Sequence, residues 1–412
     1  MVMRPLREVQ AKILDSVPLL TEVRVDPAES LGLALVEAVT APEDIPAFSN
    51  SAMDGYAVRA DSVAAVPVEL EVLGEASAGS PADAAVTAGT AIKIMTGAPM
   101  PDGADAVVRV EVTEPVGSAV RILDGVAAGE NVRPAGGDLN AGTAVFSPGQ
   151  RIGPAHAGVL ASLGVTPLVR KRPVVAMMAT GDELVDRSTP QLERGQIRDS
   201  NTTLMRALLE GAGAEVLDFG IVGDDPTVFE TALEAASSAG DLVLTSGGVS
   251  MGDYDVVKAL LNGRGVDFWQ VAMQPGKPLA FGTVAGKPFF GLPGNPVSVF
   301  VSFEQFVRPA LLTMLGSRLV FRDRVPAVMD EPVKGAEEKE VFLRVVTGRD
   351  DDGLLRARPS GGQSSNVLSA LAFADALAVM PVGVAAFEAG DPVELEMSHR
   401  PEARSAAEVL GG

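Results

Sequence analysis

The chain has 412 residues, enough for two to four domains, and its 54 acidic against 33 basic residues give a formal net charge of -21. That balance argues against a nucleic-acid backbone as main partner, which needs a basic face, and leaves any anionic ligand to backbone amides, a few placed cations or a bridging metal. No cysteine is present and the only histidines are His156 and His399, both expected to be structural or solvated, so disulfides, thiolate chemistry, a His/Cys zinc site and a Ser-His-Asp triad lose their residues.

A bound metal should therefore be hard and oxygen-liganded, which points to Mg²⁺. No apolar run reaches the roughly 18–20 residues of a membrane span. The N-terminal stretch has the pattern of an amphipathic helix rather than a signal peptide, so a cytoplasmic protein without a membrane partner is expected.

In chain order, residues 1 to about 44 read as helical. Leu6, Val9 and Ile13, then Leu31, Leu33, Ala34, Leu35 and Ala38, fall at helical spacing, with Asp26-Pro27 as a helix start. From about 45 to 138 short β-type runs alternate with Gly, Pro and Asp: Val66–Val72, Thr90–Met95, Ala106–Val112 and Ala119–Leu123. A helix over Pro154–Leu163 follows. From about 172 strands and helices alternate. Val174–Met178 is a buried strand, and Asp199-Ser200-Asn201 offers caps for a helix with Leu204, Leu208 and Ala212 on one face. Val216–Val222 is a second strand, after which Asp225 caps and Pro226 opens a helix bearing Phe229, Leu233 and Ala236. Asp241–Thr245, residues 279–284 and residues 287–291 complete the strands, and the last feeds a long helix with Phe300, Phe303, Val307, Leu311 and Met314 on one stripe. This alternation predicts a parallel, doubly wound sheet. The tail, about 320–400, is a small all-β domain built on Val325–Met329, Val341–Val346, Leu354–Ala357, Ala376–Met380 and Pro392–Met397.

Ligands of such α/β sheets bind at the carboxyl ends of the strands, and there the sequence is unusual. One end carries Thr180, Gly181, Asp182 and Glu183, the next Asp224 and Asp225. The third carries Ser246, Gly247, Gly248 and Ser250, then Asp253 and Asp255; the last carries Gly291, Gly294, Asn295 and Pro296. One rim thus offers carboxylates suited to Mg²⁺ and two Gly-rich turns whose N–H groups can face an anion. Neither turn matches the dinucleotide or P-loop pattern. Lys277, held between prolines in Met273-Gln-Pro-Gly-Lys-Pro278, is a point cation for phosphate or an oxyanion. By composition alone the loops Ser51–Ala57 and Thr96–Asp105 are turns.

Taken together and in order, Ser51–Ala57, Thr96–Asp105, Asn131–Asp138, Thr180–Leu184, Ser246–Ser250, Pro275–Pro278 and Gly291–Ser298 resemble the MoeA/gephyrin E-domain family of molybdopterin molybdenumtransferases, over essentially the whole chain. The resemblance implies an elongated multidomain homodimer. It has a helical domain I (1–44 and 139–171), a β-rich insertion domain II (45–138), a MogA/MoaB-like α/β domain III (172–318) and a β-barrel-like domain IV (319–412). It also implies the reaction: molybdate is loaded onto adenylylated molybdopterin as a Mg²⁺-dependent hydrolysis of the phosphoanhydride releases AMP. The activated pterin would come from a separate molybdopterin adenylyltransferase, and the cleft would lie between the α/β domain of one subunit and the β region of the other.

Matched by position, Asp54, Thr96, Asp138, Glu183, Asp224, Asp225, Asp255, Lys277, Pro293 and Pro296 fall on functional positions of the family. Ser298, Arg344 and Ser365 would line the molybdate site. Glu183, Asp224, Asp225 and Asp255 are the expected metal or water ligands, and the Gly-rich turns would hold the pterin and its phosphates. Gln274 departs from the family pattern, which has a lysine there, so one cation is lost from the oxyanion pocket. Two other readings stay open: the preceding adenylylation of molybdopterin, and a non-catalytic gephyrin-like scaffold.

Overall fold

The computed structural model describes residues 3–249 and 256–398. The chain divides into two compact units, one of Met1–Val36, Gly149–Pro154 and Leu168–Gly412, the other of Glu37–Pro148 and Ala155–Pro167. In the first, helix α1 (Leu6–Ser16) buries Leu6, Val9 and Ile13. It stops where Pro18 disfavours a helical Val17. The helix expected over Leu31–Ala38 is absent. Asp26 caps only a single 3-10 turn, Pro27–Glu29, and the chain then runs extended, with Ala34 bridged to Arg151 and Leu35 to Val169. Leu33, Ala34 and Leu35 are all buried. Three consecutive buried residues suit a segment covered on both sides, not one stripe of a helix.

The second unit holds a six-stranded sheet. Its strands are β1 (Gly55–Val58), β2 (Val68–Ala76), β3 (Thr90–Ile94), β4 (Ala106–Arg109), β5 (Thr113–Val116) and β6 (Ala119–Ile122), in the order β4-β1-β3-β2-β6-β5. Alternate residues feed two cores, Tyr56, Val58, Leu70 and Val108 on one face and Ala57, Ile92, Ile94 and Val107 on the other. Helix α2 (Pro154–Ser162) carries His156, whose ring packs on Phe146 at 5.1 Å between centroids. That is the structural role expected of it; His399 lies outside the described residues.

The α/β sheet runs β8-β7-β9-β12-β11-β10, with β7 (Val174–Thr180), β8 (Glu215–Val222), β9 (Leu242–Ser246), β10 (Val266–Gln270), β11 (Pro278–Val284) and β12 (Lys287–Leu292). The four strands β8, β7, β9 and β12 are parallel. The remaining two are not, which corrects the all-parallel expectation: β11 and β12 form a hairpin and β10 pairs antiparallel with β11. Ala285 and Gly286 stand at φ 48° and 79°, the geometry of a two-residue turn that returns the chain antiparallel. Strand β10 was not read from the sequence. Its edge is covered by the N-terminal segment, where Arg4 N donates to Gln270 O at 2.7 Å, while the Arg4 and Lys12 cations lie over the Trp269 ring.

Helix α3 (Asn201–Gly211) is capped by Asp199, whose Oδ1 accepts from Asn201 N and Thr202 N. It buries Met205 and Leu209, one position on from the predicted Leu204/Leu208 stripe. Helix α4 (Pro226–Ala239) follows the prediction: Asp225 accepts from Thr227 N and Val228 N, Pro226 fills the first turn, and Phe229, Leu233 and Ala236 enter the core with Ala176, Met178 and Phe289. The short helix α5 (Val256–Leu261) adds Val256 and Val257 to that core. The long helix expected after β12 is two, α6 (Pro296–Ser302) and α7 (Arg308–Met314), joined by a π turn over Phe303–Val307. Pro309 has no N–H to give the Gln305 carbonyl, and that carbonyl accepts instead from Gln10 Nε2 at 3.2 Å.

The C-terminal strands β13 (Arg324–Met329), β14 (Glu340–Arg349), β15 (Leu355–Pro359), β16 (Ala376–Met380) and β17 (Pro392–Met397) close into a five-stranded barrel, β14-β15-β13-β17-β16 and back to β14. A partly buried polar seam ties the barrel to the π turn. Gln305 Nε2 donates to Glu396 Oε2 at 2.7 Å, Arg324 reaches Glu396 at 3.0 Å and Glu340 at 3.1 Å, and Arg322 holds Glu304 by two bonds of 2.6 and 2.9 Å. Burial pushes the Glu396 carboxyl up, with Arg324 and Gln305 working the other way. Arg324→Met should therefore cost about 3 kcal/mol at pH 7, because it strands two carboxylates. The ionised Glu396 carboxyl, already raised by burial, carries part of that penalty, so the deficit in a denaturant titration should narrow as pH falls into the range where Glu396 takes up a proton.

Candidate active site

In the β unit, the two loops that composition alone marks as turns and the Asn131–Asp138 stretch converge on Asn50–Ser51. Ser51 N donates to Ala98 O and Gly97 N to Ser51 O, while Val132 and Arg133 pair with Ser51 and Asn50. The Ser51–Ala57, Thr96–Asp105 and Asn131–Asp138 stretches thus form one structure. Asp54 Oδ1 accepts from Thr96 N at 2.7 Å and from Thr96 Oγ1 at 2.9 Å. Those two bonds hold the exposed Asp54 carboxyl below its ordinary range. Asp138 is exposed in the same loop cluster, its N–H bonded to Ile45 O. Around Asp54 the apolar side chains of Phe48, Met53, Met95 and Val110 stay 42–50% exposed.

The parallel strands place their carboxyl ends on one edge, as predicted. The chain leaves β7 for β8 on one side and later crosses to β9 on the other, so the crevice of the topological switch lies between β7 and β9. Thr180 and Ser246 end these strands, and Thr180 Oγ1 donates to Ser246 O at 3.4 Å. Both are buried, and Ser246 Oγ and Thr245 Oγ1 have no hydrogen-bond partner among the described residues. Gly247 and Gly248 stand at φ 89° and 70°, and a Cβ on Gly247 would meet Thr180 O at 2.4 Å. Only glycine permits so close a turn.

Beside the crevice, Asp182 and Asp224 are locked by reciprocal bonds, Asp224 N to Asp182 Oδ1 at 3.0 Å and Asp182 N to Asp224 Oδ2 at 3.3 Å. The Glu183 carboxylate folds back over Gly181. Burial first, then the like charges of Asp182 and Glu183, raise the Asp224 carboxyl. Asp225 is turned to its cap on α4 through Oδ1. Among the described residues no three carboxylates form a cluster that could hold a metal; Ser250, Asp253 and Asp255 lie outside the described residues.

At the other end of the rim a cleft of about 630 Å³ is lined by the Met273–Pro278 turn, Pro293, Gly294, Asn295 and Ser298, and by Lys339, Gln363, Ser364 and Ser365. It brings together Lys277, Pro293, Gly294, Asn295, Ser298 and Ser365, all predicted. Pro296 begins α6 directly behind it. Asn295 Nδ2 donates to Ser365 Oγ at 3.0 Å and Asn201 Nδ2 to Gly294 O at 2.7 Å. Gly247 N donates to Leu292 O, which ties this end to the crevice. Arg344 does not line the cleft. It is 1% exposed and lies behind the wall, donating to the Gly362 and Ser364 carbonyls. Burial pushes it down to about 10, and among the described residues no carboxylate partners it and its Nε is unbonded. A buried cation without a counter-ion is costly and puts positive potential behind Ser364. Lys339, Gln363 and Ser364 were missed in the sequence, where a lysine after two glutamates reads as a solvated surface run.

The profile described as "MoeA N-terminal region (domain I and II)" matches residues 4–164, "Probable molybdopterin binding domain" residues 176–313, and "MoeA C-terminal region (domain IV)" residues 326–397. The chain is 37% identical over 405 residues to molybdopterin molybdenumtransferase 2 of Mycobacterium tuberculosis, covering 95% of this chain and 99% of that protein. It is 35% identical over 399 residues to the molybdopterin molybdenumtransferase of Haemophilus influenzae, covering 96% and 98%. The crystal structure of the molybdopterin biosynthesis moeA protein from Pyrococcus horikoshii OT3 superposes with a TM-score of 0.79 at 28% identity, over 96% of this chain and all of that one. Near-complete coverage by relatives of one activity, on a fold whose rim carries the matching residues, shows that the chain belongs to the MoeA family of molybdopterin molybdenumtransferases.

Proposed function

We propose that, within molybdenum-cofactor biosynthesis, the substrate is adenylylated molybdopterin. Molybdate is inserted as water cleaves the phosphoanhydride and AMP leaves. The observation that carries this reading is the rim, which places the Asp182–Asp224 carboxylates and the Gly247–Gly248 turn at the same strand ends as the cleft that holds Lys277. An anionic phosphorylated ligand is met there by amide donors and a lysine, and the carboxylates serve it through a bridging cation.

The backbone amides of the Gly247–Gly248 turn and the unpartnered Ser246 and Thr245 hydroxyls supply donors for the pterin phosphates. Lys277, Ser298 and Ser365 face the oxyanion, with Arg344 adding potential from behind. The pterin brings its own dithiolene sulfurs, so a chain without cysteine suffices.

The donor set also fits Mg²⁺. A Mg²⁺ ion that bridges phosphates takes one or two protein carboxylates, and Glu183 and Asp224 supply hard oxygens where like charge already crowds. Bound there, the ion would neutralise phosphate charge. Asp225 and Asp255 were expected to share this role; Asp225 is engaged as a cap. Asp54, ionised and held by Thr96, is the proposed catalytic carboxylate of the β unit, with Thr96 and Asp138 beside it. A cytoplasmic homodimer supplied by an upstream adenylyltransferase completes the proposal. Among the described residues no helix is long and apolar enough to cross a membrane.

Asp54→Ala and Glu183→Ala should each lower AMP release from adenylylated molybdopterin by about a hundredfold or more; full turnover in both would sink the reading. Asp225 separates two roles. Asp225→Ser keeps a helix cap whereas Asp225→Ala costs about 1 kcal/mol of stability. If Asp225 also serves the chemistry, the serine variant melts like wild type yet releases AMP slowly.

A further inference from the structure

Lys339 reaches the cleft from the barrel, and its position is determined by backbone pairing. The Met273–Gln274 strand runs parallel to β14, with Met273 opposite Glu340 and Gln274 opposite Val341. Glu340 N donates to Ala272 O at 3.0 Å, Lys339 N closes a turn on Ala336 O, and the Glu340 carboxylate is held by Arg324. The half-buried Lys339 side chain then extends over the same turn that carries Lys277, with Nζ 3.4 Å from Gln274 Oε1. Among the described residues its ammonium forms no ion pair.

Gln274 is a neutral acceptor. It takes one of the three ammonium donors and leaves two, together with the whole charge, for a ligand. A carboxylate at 274 would neutralise the ammonium, and a second lysine would repel it.

On this basis we propose that Lys339 is an oxyanion-binding residue of the cleft. It works opposite Lys277 and is held in place by Gln274, so that the barrel supplies the cation the Met273–Pro278 turn lacks at Gln274. The inference rests on the reading of the cleft as the molybdate site.

The test is the molybdate concentration that half-saturates molybdenum insertion by the full-length protein, at saturating adenylylated pterin, with maximal rate and thermal melting recorded alongside. Lys339→Ala should raise that concentration about tenfold and leave the melting temperature and the pterin dependence unchanged. Lys339→Arg should retain most of the affinity. Adding Gln274→Lys to Lys339→Ala should recover it, because the cation is then returned from the other side. Wild-type molybdate dependence in Lys339→Ala, alongside a clear loss in Lys277→Ala, would overturn the role of Lys339 and leave the cleft assignment standing. Unchanged dependence in both variants would remove the cleft as the oxyanion site altogether. A raised half-saturation that the double variant fails to recover would overturn the pairing with Gln274.

Discussion

The cationic end of the rim depends on how the barrel is fixed to the α/β sheet, by the backbone pairing of Met273–Gln274 with β14 and by a chain of polar contacts. Pro309 frees the Gln305 carbonyl for Gln10, Gln305 in turn bonds Glu396, and Arg324 gathers Glu396 with Glu340. Each member is directional, so the seam sets an orientation that apolar packing alone would leave loose. Glu340 belongs to this seam and is also the register partner of Met273. Glu340 thus links the seam, through its carboxylate, to the mouth of the cleft, through its backbone.

The rim itself is organised by charge. At one end burial and the like charges of Asp182 and Glu183 raise the Asp224 carboxyl; at the other, among the described residues, lysines and a buried arginine stand without carboxylate partners. Neither end is at rest electrostatically, and a fold selected for stability alone would pair such groups off. An anion drawn to the cationic end and a cation drawn to the acidic end would each relieve the charge that stands there.

How much of this could be read from residues alone follows the physics of each signal. The strands of the α/β domain and the Asp225-Pro226 helix start were legible because their signals are local: buried β-branched runs, a carboxylate cap, a proline in the first turn. The failures were tertiary. Leu33–Leu35 has helical spacing but is buried on both sides by segments over a hundred residues away. The antiparallel return of β11 and β12 hinged on Ala285, a residue that seldom takes positive φ. The strand-end residues at the rim were visible as a set because strand ends repeat in sequence. Asp54 and Thr96 meet only through pairing of distant loops, so composition saw two turns where the fold makes a single charged site. Lys339 was invisible for the same reason, since its position comes from a parallel pairing with residues more than sixty positions earlier.

A net charge of -21 opposes the approach of an anionic substrate, yet the conflict is one of range. At physiological ionic strength charges are screened beyond about 8 Å, so the overall charge slows encounter without setting affinity. Affinity is set where water is excluded and cations are few and fixed. Arg344 shows the cost the fold sustains for this. Its guanidinium is buried, carbonyl-bound and still charged near neutrality, since burial pushes it only to about 10. Removing its charge would relieve the fold and empty the cleft of the potential that opposes the global field. Keeping it obliges the neighbouring wall, Gly362 to Ser364, to present carbonyls inward, while hydroxyls and lysines line the cleft. The acidic surface and the cationic cleft are thus compatible because they act at different distances.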